Sequence, residues 1–132
     1  PSYMQGTSMR AMLRGETPEG WDQLAYHRYW MHNDEIHEAW AHYGVRDQRY
    51  KLIYWYNKAL GQDGARENDA PPEWELFDCD NDPMELFNVA NDPAYGDIFK
   101  AMLAKLDAKQ ADIGDLPEHD SAEVLKSLDS AV

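Results

Sequence analysis

Residues 42–57, HYGVRDQRYKLIYWYN, decide the fold. The second half, Tyr50-Lys51-Leu52-Ile53-Tyr54-Trp55-Tyr56, is the densest run of aromatic and β-branched side chains in the chain. Such side chains suit a pleated, half-buried surface, so this segment reads as a strand. Tyr43-Gly44-Val45-Arg46 reads as a shorter strand upstream, and Asp47-Gln48-Arg49 has the length of a hairpin connection. A lone hairpin is marginally stable in water, so further strands or a covering helix must pack on it.

Both are found on working outward. Upstream, Leu24–Trp30 alternates as a strand, with Leu24, Tyr26, Arg28 and Trp30 on one face and Ala25, His27 and Tyr29 on the other. Downstream, residues 61–72 (GQDGARENDAPP) form a surface loop, and Glu73-Trp74-Glu75-Leu76-Phe77 reads as a short strand before the turn at Pro83. Asp92 as N-cap and Pro93 at the first helical position start a helix. From Ala94 to about Ile113 it carries Tyr95, Ile98, Phe99, Met102, Leu103 and Leu106 at helical spacing, a stripe wide enough to cover a sheet. Ser8–Arg14 reads as about two helical turns ended by Gly15, and Met31–Ala41 as a loop or one helical turn. Ser121–Leu128 reads as a last short helix. From Asp107 onward seven acids face two lysines, which marks the end as an acidic, mobile tail or that helix.

The 132 residues are one domain's worth of chain, with 12 basic against 25 acidic residues and a formal charge of −13. A field of that sign repels phosphate backbones and anionic lipid, which argues against nucleic acid and membrane partners. No apolar run approaches the roughly 20 residues a bilayer demands. Pro1-Ser2-Tyr3-Met4 lacks the charged and apolar regions of a signal peptide, and a chain starting with Pro reads as a processed product or a piece of something longer. Periplasmic, secreted and cytoplasmic settings therefore all stay open. One cysteine, Cys79, excludes an internal disulfide.

Autonomous chemistry finds little support in the residues. His27, His32, His37 and His42 are five apart, whereas ligands on one helix face need i, i+3 or i+4 and on a strand i, i+2. Asp78, Asp80 and Asp82 alternate like the start of a calcium loop. Pro83 then stands where the sharp turn needs Gly, and Val89 where the bidentate Glu belongs; turn formation accounts for these acids. Cys79 lies between two aspartates, which disfavour a thiolate, and neither a G-x-S-x-G elbow nor a glycine-rich phosphate loop occurs. There remains an aromatic set, with Tyr29–His42 too aromatic and polar for a mere connection. Aromatics beside His and Arg can stack on sugar or aryl rings and bond their substituents.

Met4-Gln5-Gly6-Thr7-Ser8, Leu13-Arg14-Gly15, Trp21 and Tyr26-His27-Arg28-Tyr29-Trp30 occur in that order. The hairpin follows, then Trp74-Glu75-Leu76-Phe77-Asp78 and Asn81-Asp82-Pro83-Met84-Glu85-Leu86-Phe87-Asn88. Together they resemble the C-terminal region of a type I sulfatase of the alkaline-phosphatase superfamily, over roughly Met4–Leu106. The resemblance implies an α+β fold, a small four-stranded antiparallel sheet packed against a C-terminal amphipathic helix. The corresponding division is a subdomain over 1–113 and an acidic tail over 114–132. It also implies sulfuric ester hydrolysis in the intact enzyme, by a formylglycine and calcium in a larger preceding domain. Here Cys79 is followed by Asp80-Asn81-Asp82-Pro83, so the C/S-x-P/A-x-R motif is absent from this sequence, as are the large domain's metal-binding aspartates. No cofactor is therefore expected in this chain, and by itself it is expected to be inert.

The implied role is one wall of a substrate cleft beside the sulfatase catalytic domain. His32 and His42 are the expected substrate-binding positions, with Trp40 and Arg46 behind them; His42 fits a tether between the domains equally well. Met84 and Cys79 depart from the family pattern. The alternative is an autonomous carbohydrate-binding module or a homo-oligomer held through the exposed apolar face.

Overall fold

The computed structural model describes residues 4, 6–21 and 23–130; Pro1-Ser2-Tyr3 and Gln5, used in the sequence reading, lie outside them. Four strands, β1 (Ala25–Tyr29), β2 (His42–Arg46), β3 (Tyr50–Trp55) and β4 (Glu73–Asp78), form one antiparallel sheet in sequence order. The central hairpin closes at residues 47–49. Asp47 accepts from the backbone N–H groups of Arg49 and Tyr50 at 2.9 and 2.7 Å, and its own N–H donates to the Tyr50 carbonyl at 3.0 Å. A short acceptor side chain at the first loop position thus does the work of turn formation.

Alternation divides the sheet into two faces. Tyr43, Val45, Leu52, Tyr54 and Leu76 point inward and are buried. Against them lies α1 (Gly96–Ile113), preceded by a 3-10 turn over Pro93–Tyr95. The Asp92 carboxylate accepts from the Ala94 N–H at 2.9 Å, and Gly114 at φ 72° ends the helix where a side chain would be strained. Phe99, Met102, Leu103 and Leu106 are buried against the sheet, each contributing about 1.5–3 kcal/mol of hydrophobic stabilisation. The α+β architecture and the stripe of α1 are those the sequence led us to expect.

After α1 the chain turns back and forms α2 (Ser121–Ser130), whose first N–H groups, of Ala122 and Glu123, donate to the Asp120 carboxylate. Val124, Leu125 and Leu128 pack against the core. The connection carries charge into the fold. Arg28, whose side chain is 5% exposed, pairs with Asp115 at 2.7 Å and Glu118 at 3.0 Å. Tyr26 also donates to Asp115. His119 is buried between the Tyr43 hydroxyl at 2.5 Å and Asp107 at 2.9 Å.

At the other end, Ser8–Arg14 forms only a 3-10 turn over Met12–Arg14 rather than two helical turns. None of its residues is buried, and Leu13 is 85% exposed. A segment this short cannot hold a helix without packing. Among the described residues no helix is long and apolar enough to cross a membrane.

Candidate functional site

The sheet face turned away from α1 carries His27 and Tyr29 from β1, His42, Gly44 and Arg46 from β2, Lys51, Ile53 and Trp55 from β3, and Glu73, Glu75 and Phe77 from β4. Its middle is apolar, with Ile53 and Phe77 buried. Its margins are aromatic and charged. Gly44 is required here, because a Cβ would stand 2.3 Å from the Leu52 carbonyl oxygen and 3.1 Å from the His27 ring.

His42 is the hub of this face. Its ring centroid lies 4.2 Å from Trp55, 5.4 Å from His27 and 5.7 Å from Tyr29. Its Nδ1 is 2.7 Å from the Trp40 carbonyl, which can only accept, so Nδ1 carries the proton and Nε2 keeps a lone pair. Burial lowers its pKa, and burial followed by the neighbouring His42 and Lys51 lowers that of His27 to about 4. Both rings are neutral near pH 7.

The approach to the face is built by residues 31–41, folded as turns. Asp34 accepts from the Tyr29 hydroxyl at 2.5 Å and from the N–H groups of Ile36 and His37 at 2.9 and 3.0 Å. These donors, Tyr29 foremost, hold its carboxyl well below the usual range. The Glu38 N–H reaches the Asp34 carbonyl at 3.0 Å, giving the single helical turn that was one of the two sequence readings. His32 is fully buried, its Nδ1 accepts from the Ala41 N–H at 3.2 Å, and its ring meets Trp40 edge-on at 4.9 Å.

The four candidate residues therefore occupy three settings. Trp40 and His42 adjoin, joined by the carbonyl–imidazole hydrogen bond. His32 lies beneath Trp40. Arg46 is at the far end of β2, 3.3 Å from Glu85, whose other oxygen takes Lys51 at 2.5 Å.

Beside Trp40 opens a cleft of about 570 Å³ lined by Trp55, Asn57, Pro71, Pro72, Glu73 and Glu75. Trp55 Nε1 donates to Glu75 at 2.7 Å, and the buried Asn57 Oδ1 has no partner. Sequence reasoning ranked Trp55 as sheet packing and left Glu73, Glu75 and Asn57 unassigned. The strand register is what puts Trp55, Glu73 and Glu75 on the face of His42. Among the described residues no group of three His, Cys, Asp or Glu converges as a metal ligand set.

Comparison with known proteins gives a concordant result. The profile of the family described as N-sulphoglucosamine sulphohydrolase, C-terminal, matches residues 1–112. An N-acetylglucosamine-6-O-sulfatase of Bacteroides thetaiotaomicron is 33% identical over 112 residues, 83% of this chain and 18% of that protein. Among solved structures, BT4656 in complex with its substrate D-glucosamine-2-N,6-O-disulfate superposes with a TM-score of 0.72 and 32% identity, over 86% of this chain and 21% of that one. BT1596, a 2-O GAG sulfatase, gives a TM-score of 0.65 and 25% identity, over 87% and 22%. The chain thus spans about a fifth of the length of the relatives it matches.

Proposed function

The chain belongs to the N-sulphoglucosamine sulphohydrolase C-terminal family, and on that premise we propose that it forms one wall of the substrate cleft of a sulfatase-like hydrolase. The observation that carries this reading is the contrast between the two faces of the sheet. One is sealed by α1, while the other leaves His42, Trp55 and Trp40 partly exposed; the loop after β4, whose Glu85 pairs with Arg46 and Lys51 of that face, adds the exposed Met84, Leu86 and Phe87. A side this rich in large apolar groups fits a second domain rather than bulk water.

In this reading the larger catalytic domain supplies sulfate ester cleavage, with its formylglycine and calcium, and this chain supplies recognition. His42 accepts a hydroxyl proton at Nε2, and Trp40 offers an aromatic surface for a ring face. His32 buttresses Trp40 from below. Arg46, engaged by Glu85, steadies the domain contact. The backbone link from Trp40 to His42 fixes the imidazole tautomer, so the acceptor is ready before substrate arrives.

Turnover of an aryl sulfate tests the division of labour. The 132-residue chain alone should show none, and the same chain expressed together with a preceding C/S-x-P/A-x-R domain should show it. Calcium-dependent hydrolysis by the chain alone would overturn the reading.

A further inference from the structure

We infer that the cleft between Trp40 and Trp55 is a subsite for a sugar ring that carries no negative charge, an amino sugar or a neutral hexose, set apart from the sulfated ring. This rests on the reading of the outer face as a cleft wall and adds which part of the substrate meets which side chains. Two indoles and two prolines supply apolar surface, and a pyranose has an apolar face of C–H groups to lay on it. Apart from the two indole N–H groups, the polar side chains of the lining are two carboxylates and one amide, with no cation among them. Glu73 stands exposed at the rim, Glu75 keeps one carboxylate oxygen beyond the one held by Trp55, and Asn57 Oδ1 is buried without a donor. One hydrogen of the Asn57 amide nitrogen is committed to the Pro71 carbonyl at 2.8 Å.

A lining whose only charged groups are two carboxylates selects by sign. Hydroxyl and ammonium groups donate to it, and the two carboxylates favour an ammonium further, as does the π-face of an indole. A sulfate or uronate would meet Glu73 and Glu75 with like charge, and no Lys, Arg or His lines the cleft to answer it. The arrangement suits an extended, unevenly sulfated glycan, of which this wall reads an unmodified ring.

The test is an NMR titration of the 132-residue chain, following the Trp40 and Trp55 indole N–H signals. The probes are D-glucosamine, N-acetyl-D-glucosamine, N-acetyl-D-glucosamine 6-sulfate and D-glucuronate. D-Glucosamine should move both signals at the lowest concentration. N-Acetyl-D-glucosamine should follow about tenfold weaker, the scale of one exposed cation–π and ion-pair contact, and the two anions should leave the signals unmoved. Glu73→Lys, at an exposed position that leaves the sheet intact, should erase the preference for glucosamine and admit glucuronate. Trp55→Phe should weaken both uncharged and cationic sugars together. Anions that shift the indoles as readily as N-acetyl-D-glucosamine, or no shift with any sugar, would overturn the subsite. Neither result touches the aryl sulfate assay, which judges the wall reading separately.

Discussion

Arg49 grips Asp78 with both prongs of its guanidinium, Nε at 2.8 Å from Oδ1 and Nη2 at 2.7 Å from Oδ2. The carboxylate is 2% exposed and also takes the Asn81 amide at 2.8 Å. The pair ties the β2–β3 hairpin loop to the last residue of β4, so one contact closes the end of the sheet.

That contact makes stability fall in acid. Arg49 before all else lowers the Asp78 pKa from 3.8 to about 2. A depressed carboxyl stabilises the fold fully above its unfolded pKa and loses that contribution as pH falls through the folded value. Urea unfolding midpoints should therefore drop between about pH 4 and pH 2. Asp78→Asn should be less stable at pH 7 and should lack this part of the decline.

A second, higher window belongs to His27. Its folded pKa of about 4 lies below the usual 6.5, so the fold favours the neutral ring. Its contribution is complete above pH 6.5 and is lost as pH falls through about 4. The His27 Cε1 proton should titrate near 4 by NMR, and His27→Gln should flatten the stability profile over that window. Titration at the model-compound value would mean that the ring is not buried against Gly44 and His42.

Gly44→Ala places a methyl 2.3 Å from the Leu52 carbonyl and 3.1 Å from the Ile53 Cα, both backbone atoms that cannot swing aside. Overpacking of this kind costs about 2–3 kcal/mol, which thermal unfolding should register as a melting temperature lower by roughly 10 °C. An unchanged melting temperature would refute the close approach of β2 and β3 there.

Asp115→Ala strips Arg28 of its nearest anion while its side chain stays 5% exposed. Loss of one partner from a buried pair costs about 3 kcal/mol, less where a second acid remains, and Glu118 remains at 3.0 Å. We expect about 2 kcal/mol by urea denaturation. A change below about 0.5 kcal/mol, the scale of ordinary surface substitutions, would mean that the segment after α1 is only loosely held to the sheet.

Much of this was legible from alternation and spacing. The aromatic hairpin announced β2 and β3, the period of two separated Leu24, Tyr26 and Arg28 from His27 and Tyr29, and the stripe from Tyr95 to Leu106 announced α1. What escaped depended on register or on distant partners. His27 and His42 are fifteen residues apart in the sequence and become neighbours only because Tyr29 pairs with His42 across the sheet. Asp78 read as turn chemistry because nothing local reveals Arg49 as its partner. The acids after Asp107 looked like solvated charge, yet Asp115 and Glu118 answer a buried arginine on the first strand. His32 is a substrate-binding position only by the family resemblance, and its burial is not legible in the sequence. The turn made by Asp34 leads into a backbone that sets the His32 ring edge-on against Trp40.

The claim at the centre is that the sheet face opposite α1 lies against a larger domain, and side-chain footprinting with hydroxyl radicals measures it most directly. The 132-residue chain is compared with the same chain joined to a preceding sulfatase catalytic domain. Met84, Leu86 and Phe87, 74%, 69% and 70% exposed in the chain alone, should become protected in the joined protein, while Leu116, 79% exposed beside Arg28, should react equally in both. Undiminished reaction of Met84, Leu86 and Phe87 in an active joined enzyme would contradict the account.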